Sequence, residues 1–182
     1  VPIIGFNDNE VFGAIHGLYV TKNGSEQGHD IRTHMKDFTA WNVKQGAGFQ
    51  YTAHYTLENF DLVAEDQLGT FYHNHNYFGI GFLNSSNEMS VIDSNIEGFA
   101  FGIRLGKDSV IIPEQEAIDA MKSFVVVNPT FKNVTNHYGA YNPAIDVIAK
   151  TSDVVSGRME VNLMPNTVFT NWRAPIRGSK VD

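Results

Sequence analysis

The feature that most constrains how this chain can fold is a short unit that recurs along it. Four segments share an Asp, Asn or Thr, an apolar anchor, and further on a strand of the form Gly-apolar-x-apolar: Asp37-Phe38-Thr39-Ala40-Trp41-Asn42, Asn59-Phe60-Asp61-Leu62-Val63, Asn95-Ile96-Glu97-Gly98-Phe99 and Thr130-Phe131-Lys132-Asn133-Val134. The anchors Phe38, Phe60, Ile96 and Phe131 lie 22, 36 and 35 residues apart. The second strands are Gly48-Phe49-Gln50-Tyr51, Gly79-Ile80-Gly81-Phe82 and Gly102-Ile103-Arg104-Leu105, with Gly139-Ala140-Tyr141 as a degraded fourth. A unit of this size cannot bury its own apolar face and gains a core only by stacking on copies of itself. The expected architecture is therefore all-β, a right-handed parallel β-helix with the four anchors in one inward column and the longer intervals bulging out as loops. A β-sandwich of short strands is the competing architecture, but it gives no reason for the fixed order of anchor and glycine strand.

Composition agrees with many short strands. Seventeen asparagines and sixteen glycines are spread along the chain, and charged residues make up only 18%. Both residue types suit turns, Gly because it lacks a Cβ and Asn because it tolerates left-handed backbone. Helical spacing is convincing only over 113–122, where Pro113, early acids and Lys122 predict a short helix. At 182 residues the chain reads as a single unit, residues 1–182. It opens on Val1-Pro2 without Met, which suggests a stretch processed or excised from a larger protein with neighbouring domains.

A net charge of −7 without any Lys/Arg cluster would repel a phosphate backbone, so nucleic acid is not expected as a partner. No apolar run is long enough for membrane insertion. The absence of cysteine excludes a disulfide scaffold and a thiolate metal site.

Several residues are candidates for chemistry. Superposing the units puts Thr39, Asp61, Glu97 and Lys132 at equivalent outward positions, where Asp61 and Glu97 would be stacked carboxylates about 4.8 Å apart. Such a pair suits Ca²⁺ or acid/base work on a glycosidic bond, with Lys132 as a base or as the counter-charge to a uronate. The same residues also suit a solvated ladder of alternating charges. The second-strand column offers Gln50, Gly81, Arg104 and Tyr141, in which Arg104 can clamp a carboxylate and Tyr141 can take a sugar ring. Arg104 can equally lie over its own strand and pair locally. Trp41 follows Ala40, so strict alternation points it outward as a sugar platform, although it could equally turn into the edge of the neighbouring coil. His73 and His75 lie in the aromatic segment 71–78, facing the same way in extended chain, as metal ligands, proton carriers or simply loop packing. Isolated histidines such as His34 read as hydrogen-bonded structural residues.

Val1-Pro2 with Phe6 and Asn9, then Gly17-Leu18 with Asn23-Gly24, then Ile31-Arg32, Phe38-Thr39-Ala40-Trp41-Asn42 and Gly46, resemble the β-helix portion of the cell-surface hyaluronidase and fibrocystin group. The rungs are also similar to those of pectin lyases and mannuronan epimerases. The resemblance covers about residues 1 to 150. It implies a right-handed β-helix and an extracellular or cell-surface association with polysaccharide, and it transfers no catalytic segment. A polysaccharide-binding module, a hydrolase, lyase or epimerase using Asp61, Glu97 and Lys132, and a structural spacer or adhesin coil are the functions to be distinguished. The first is expected, for a polysaccharide that could be acidic and with Ca²⁺ as a possible cofactor.

Overall fold

The computed structural model describes residues 3–21, 31–65, 78–83, 86, 88–107, 122–134, 145–147, 159–163, 168–170 and 176–178. In chain order the strands are β1 (Asn9–Phe12), β2 (His16–Thr21), β3 (Thr33–Val43), β4 (Gln45–Gln50), β5 (Tyr55–Ala64), β6 (Phe78–Leu83), β7 (Met89–Ile92) and β8 (Asn95–Glu97). They continue as β9 (Phe101–Lys107), β10 (Lys122–Val127), β11 (Thr130–Lys132), β12 (Ile145–Val147), β13 (Met159–Leu163), β14 (Val168–Thr170) and β15 (Ile176–Gly178). They form two sheets, one of nine strands and one of six, with β2, β4, β6, β9, β12 and β15 in the smaller. The chain visits the two sheets alternately, and every described strand pairing is parallel. The chain is thus all-β with two parallel sheets, and no antiparallel hairpin of the kind a sandwich requires joins the described strands. No described residue is helical. The helix expected over 113–122 falls on residues outside the described ones except for Lys122, which opens β10.

A row of left-handed residues bends the larger sheet into two flanks. Asp8, Asp37, Asn59, Asp93 and Asn128 hold φ between 47° and 56°. The strand registers on either side set them opposite one another on successive passes of the chain. Asp and Asn accept this conformation more readily than other residues with a Cβ, because their short polar side chains bond locally. The side chains also join the passes: Asn59 Nδ2 donates to Asp37 Oδ1 at 2.6 Å, and Asn128 Nδ2 to Asp93 Oδ1 at 3.1 Å.

Inward positions alternate with outward ones on each flank, as pleated strands require. Before the corner, Met35, Leu57, Val91 and Val126 stack in register and are fully buried. After it, Val11, Ala40, Leu62, Ile96 and Phe131 form the second inward column. Phe38 sits directly over Phe60 with ring centroids 5.2 Å apart, and Ile96 pairs with Phe131. The four anchors nevertheless do not share one column, because Ile96 pairs with Leu62 and not with Phe60. The residue below Phe60 is Ser94, whose Oγ accepts from Phe60 N at 3.2 Å and donates to Ile92 O at 3.0 Å. The true partner of Asn59 is Asp93, so matching Asn59-Phe60 to Asn95-Ile96 slips the unit by two residues. A slip of two keeps every side chain on its correct face, which is why the inward set is right although the column is wrong.

The smaller sheet approaches the second flank closely at a row of glycines, Gly17, Gly46, Gly79 and Gly102, whose neighbours pair in register. A Cβ at Gly17 would meet Ala40 Cβ at 2.7 Å, and one at Gly46 would meet Leu62 Cδ1 at 2.9 Å. A Cβ at Gly79 would collide with Ile96 Cγ2. Gly79 of the repeated unit, and Gly46 in place of Gly48, therefore make room for the inward column of the facing flank, with Gly102 next in the row.

Candidate functional site

Beyond the corner row, the outward face of the second flank carries two side-chain columns. The first runs Glu10, Thr39, Asp61, Asn95, Thr130, and the second Phe12, Trp41, Val63, Glu97, Lys132. Strand alternation puts Ala40, Leu62 and Ile96 in the core and so forces these neighbours outward.

At one end the rings of Phe12 and Trp41 pack against each other, tilted at 37° with centroids 4.0 Å apart. They remain 58% and 42% exposed, a large aromatic surface left to solvent. Trp41 Nε1 donates to Glu10 Oε1 at 2.8 Å, which fixes the indole plane. Toward the middle, Asn95 Nδ2 donates to Asp61 Oδ1 at 2.7 Å. At the far end Lys132 Nζ pairs with Glu97 Oε1 at 2.7 Å.

Trp41 thus points outward as expected, and Thr39 and Asp61 are in register. Glu97 and Lys132 lie one column over, beside Trp41 and Val63. The expected stack of Asp61 on Glu97 does not form: the two are diagonal neighbours, about 7–8 Å apart at the backbone. Each carboxylate has a different partner, and Glu97 spends one oxygen on Lys132. Among the described residues no group of three or more His, Asp or Glu side chains is disposed to hold a metal ion, and Asp61 with Glu97 do not converge as a Ca²⁺ site would need.

The second-strand candidates stand elsewhere. Arg104 lies on the outer face of the smaller sheet, its guanidinium carbon 4.3 Å from the Phe101 ring centroid. Gly81 pairs with Arg104 as expected, but Gly48, not Gln50, is the next residue of that row. Gln50 instead accepts from the Tyr19 hydroxyl through Oε1 at 2.5 Å. Burial pushes the Tyr19 phenol up, with a further contribution from Tyr51. Arg104 and the carboxylates therefore face outward from different sheets and cannot clamp one ligand together. Tyr141, His73 and His75 lie outside the described residues.

The first flank carries a separate polar network. His34 Nε2 and Lys36 Nζ meet Glu58 Oε2 at 2.6 and 3.2 Å. The Lys36 hydrogen bond holds the Glu58 carboxyl below the usual carboxylate range, against the opposing effect of desolvation and with further help from His34. At the edge of the flank His54 Nδ1 contacts Glu88 Oε2 at 2.7 Å, and Arg32 bonds the carbonyls of Tyr55 and Glu88. His34 is thus a hydrogen-bonded residue joining two passes.

Glu10 and Phe12 are the site residues that sequence reasoning missed. Their signal was present: Glu10-Val11-Phe12-Gly13 has the outward-inward-outward-corner order of Thr39-Ala40-Trp41-Asn42, one pass earlier. Neither a protein-family model, nor a curated protein, nor a solved structure matches this chain. No described helix is long and apolar enough to cross a membrane.

Proposed function

We propose that the chain is a right-handed parallel β-helix from a secreted or cell-surface protein, and that the outward face of its second flank binds polysaccharide without itself carrying out chemistry. The observation that carries this reading is the exposed Phe12–Trp41 pair, whose rings pack together at 4.0 Å and which Glu10 braces. An apolar surface held rigidly in water is unfavourable unless something covers it, and the flat face of a sugar ring suits an aromatic platform with carboxylates alongside. Regular return of the chain to each of two parallel sheets supports the β-helix reading, since each pass then adds one strand to the smaller sheet and one or, where the corner splits it, two to the larger. The likeness to the hyaluronidase and fibrocystin group, and the neighbouring domains it implies, belong to the same proposal.

A glycan array probed with the whole chain tests it. Binding to a defined set of oligosaccharides, lost about tenfold or more in Trp41→Ala, is the expected outcome, equivalent to about 1.4 kcal/mol. Absence of binding to any glycan would favour a structural spacer.

A further inference from the structure

We infer that the glycan taken by this flank is uncharged and runs across the strands, along the direction in which the passes stack; this rests on the polysaccharide-binding reading above. The charge of the face decides the first part. Its two outward columns hold Glu10, Asp61 and Glu97 against a single base, Lys132, which Glu97 already neutralises at 2.7 Å. The corner row bordering the face adds Asp8, Asp37 and Asp93. A uronate or sulfate laid here would meet net negative charge with no unengaged described cation on the two columns to offset it. The Arg104 guanidinium, which could clamp an acidic sugar, is on the other sheet.

Hydroxyl groups fit the same face well. Trp41 occupies Glu10 Oε1 and Asn95 occupies Asp61 Oδ1, and among the described residues the second oxygen of each carboxylate is left to accept from a sugar hydroxyl. A hydrogen bond to a charged acceptor is stronger than one between neutral groups, so an uncharged polyol gains here what a polyanion loses.

Register decides the second part. The aromatic pair belongs to β1 and β3, and the Asp61–Asn95 pair to β5 and β8. Successive strands lie about 4.8 Å apart, so a ligand touching both pairs must extend about 10–15 Å across the strands. A ligand lying along one strand would reach only one of them.

Titration calorimetry on the whole chain, with a soluble neutral β-glucan oligosaccharide series and with oligogalacturonate and hyaluronan oligosaccharides, tests both parts. The neutral series should bind with affinity that rises with length until about three to four strand spacings are spanned. It should change less than about twofold between low and high salt, since no ion pair forms. Trp41→Ala and, independently, Phe12→Ala should each weaken it about tenfold. Asp61→Asn should weaken it by a smaller factor and should not create affinity for uronates. Urea midpoints of the variants separate lost binding from lost folding. Uronate binding that Trp41→Ala abolishes would overturn the inference while leaving polysaccharide binding at this face intact. Affinity that does not rise with length would overturn the orientation. No binding of either class, or binding indifferent to both aromatic variants, would overturn the inference together with the reading beneath it.

Discussion

Asn59 shows how much one residue does in this architecture. Its backbone sits at φ 56°, and its side-chain amide donates to Asp37 one pass away. Replacing it with Ala combines left-handed strain with loss of an exposed hydrogen bond, a cost of about 1–3 kcal/mol. Asn59→Gly relieves the strain and should recover part of that loss, as paired urea denaturation curves will show. Glu58, its neighbour on the first flank, gives a pH signature. Because Lys36 and His34 hold its carboxyl below the ordinary range in the folded chain, its contribution is complete above the ordinary glutamate pKa. That contribution is lost as pH falls through the lowered folded value. The pair is solvent-accessible, so screening limits the effect to roughly a few tenths of a kcal/mol. Glu58→Gln should flatten the stability profile on the acid side and leave it unchanged in shape at neutral pH and above.

At the scale of elements, the glycine row is where sequence and packing meet. Gly79 in β6 faces the Ile96 side chain of β8 so closely that a methyl group has no room. Gly79→Ala should therefore destabilise the fold by about 1–3 kcal/mol through overpacking, read as a lower urea midpoint. Gly81 of the same strand faces outward under the Phe78 ring, which must turn away if a Cβ is added. The repeated Gly-apolar-x-apolar pattern made these strands recognisable, and alternation assigned most inward residues correctly. The exact partner across passes was not legible. A column assignment depends on how many residues each corner consumes, and Asp93-Ser94 opposite Asn59-Phe60 looks in sequence unlike the Asn-apolar signature. That two-residue difference separated Asp61 from Glu97, whereas Glu97 and Lys132 pair as the superposed units place them.

For the whole molecule, parallel stacking makes cohesion a matter of neighbours. β5 pairs with β3 on one side and with β7 and β8 on the other, whereas β1 and β2 each have one described partner. The inward residues of the first pass, Val11 and Leu18 among them, are only partly buried, while Leu57 and Leu62 are fully so. Native-state hydrogen exchange should accordingly find the amides of β5 most protected and those of β1 and β2 opening first. Uniform protection across β1, β3 and β5 would mean the first pass is held by more than its described contacts. The chain's alternating polarity, its Asn and Asp corners and its recurring glycines determine, without any coordinates, that strands are short and which side chains, for the most part, face the core, while the fixed order of anchor and glycine strand favours parallel stacking over a sandwich. These are local properties, set by backbone conformational preference and by the period of two. Which outward residues become neighbours is set by register between segments 22 to 35 residues apart. Only the tertiary structure fixes that register, because the packing of one pass on the next selects it; it brought Glu10 and Phe12 to Trp41 and carried Arg104 away from the carboxylates.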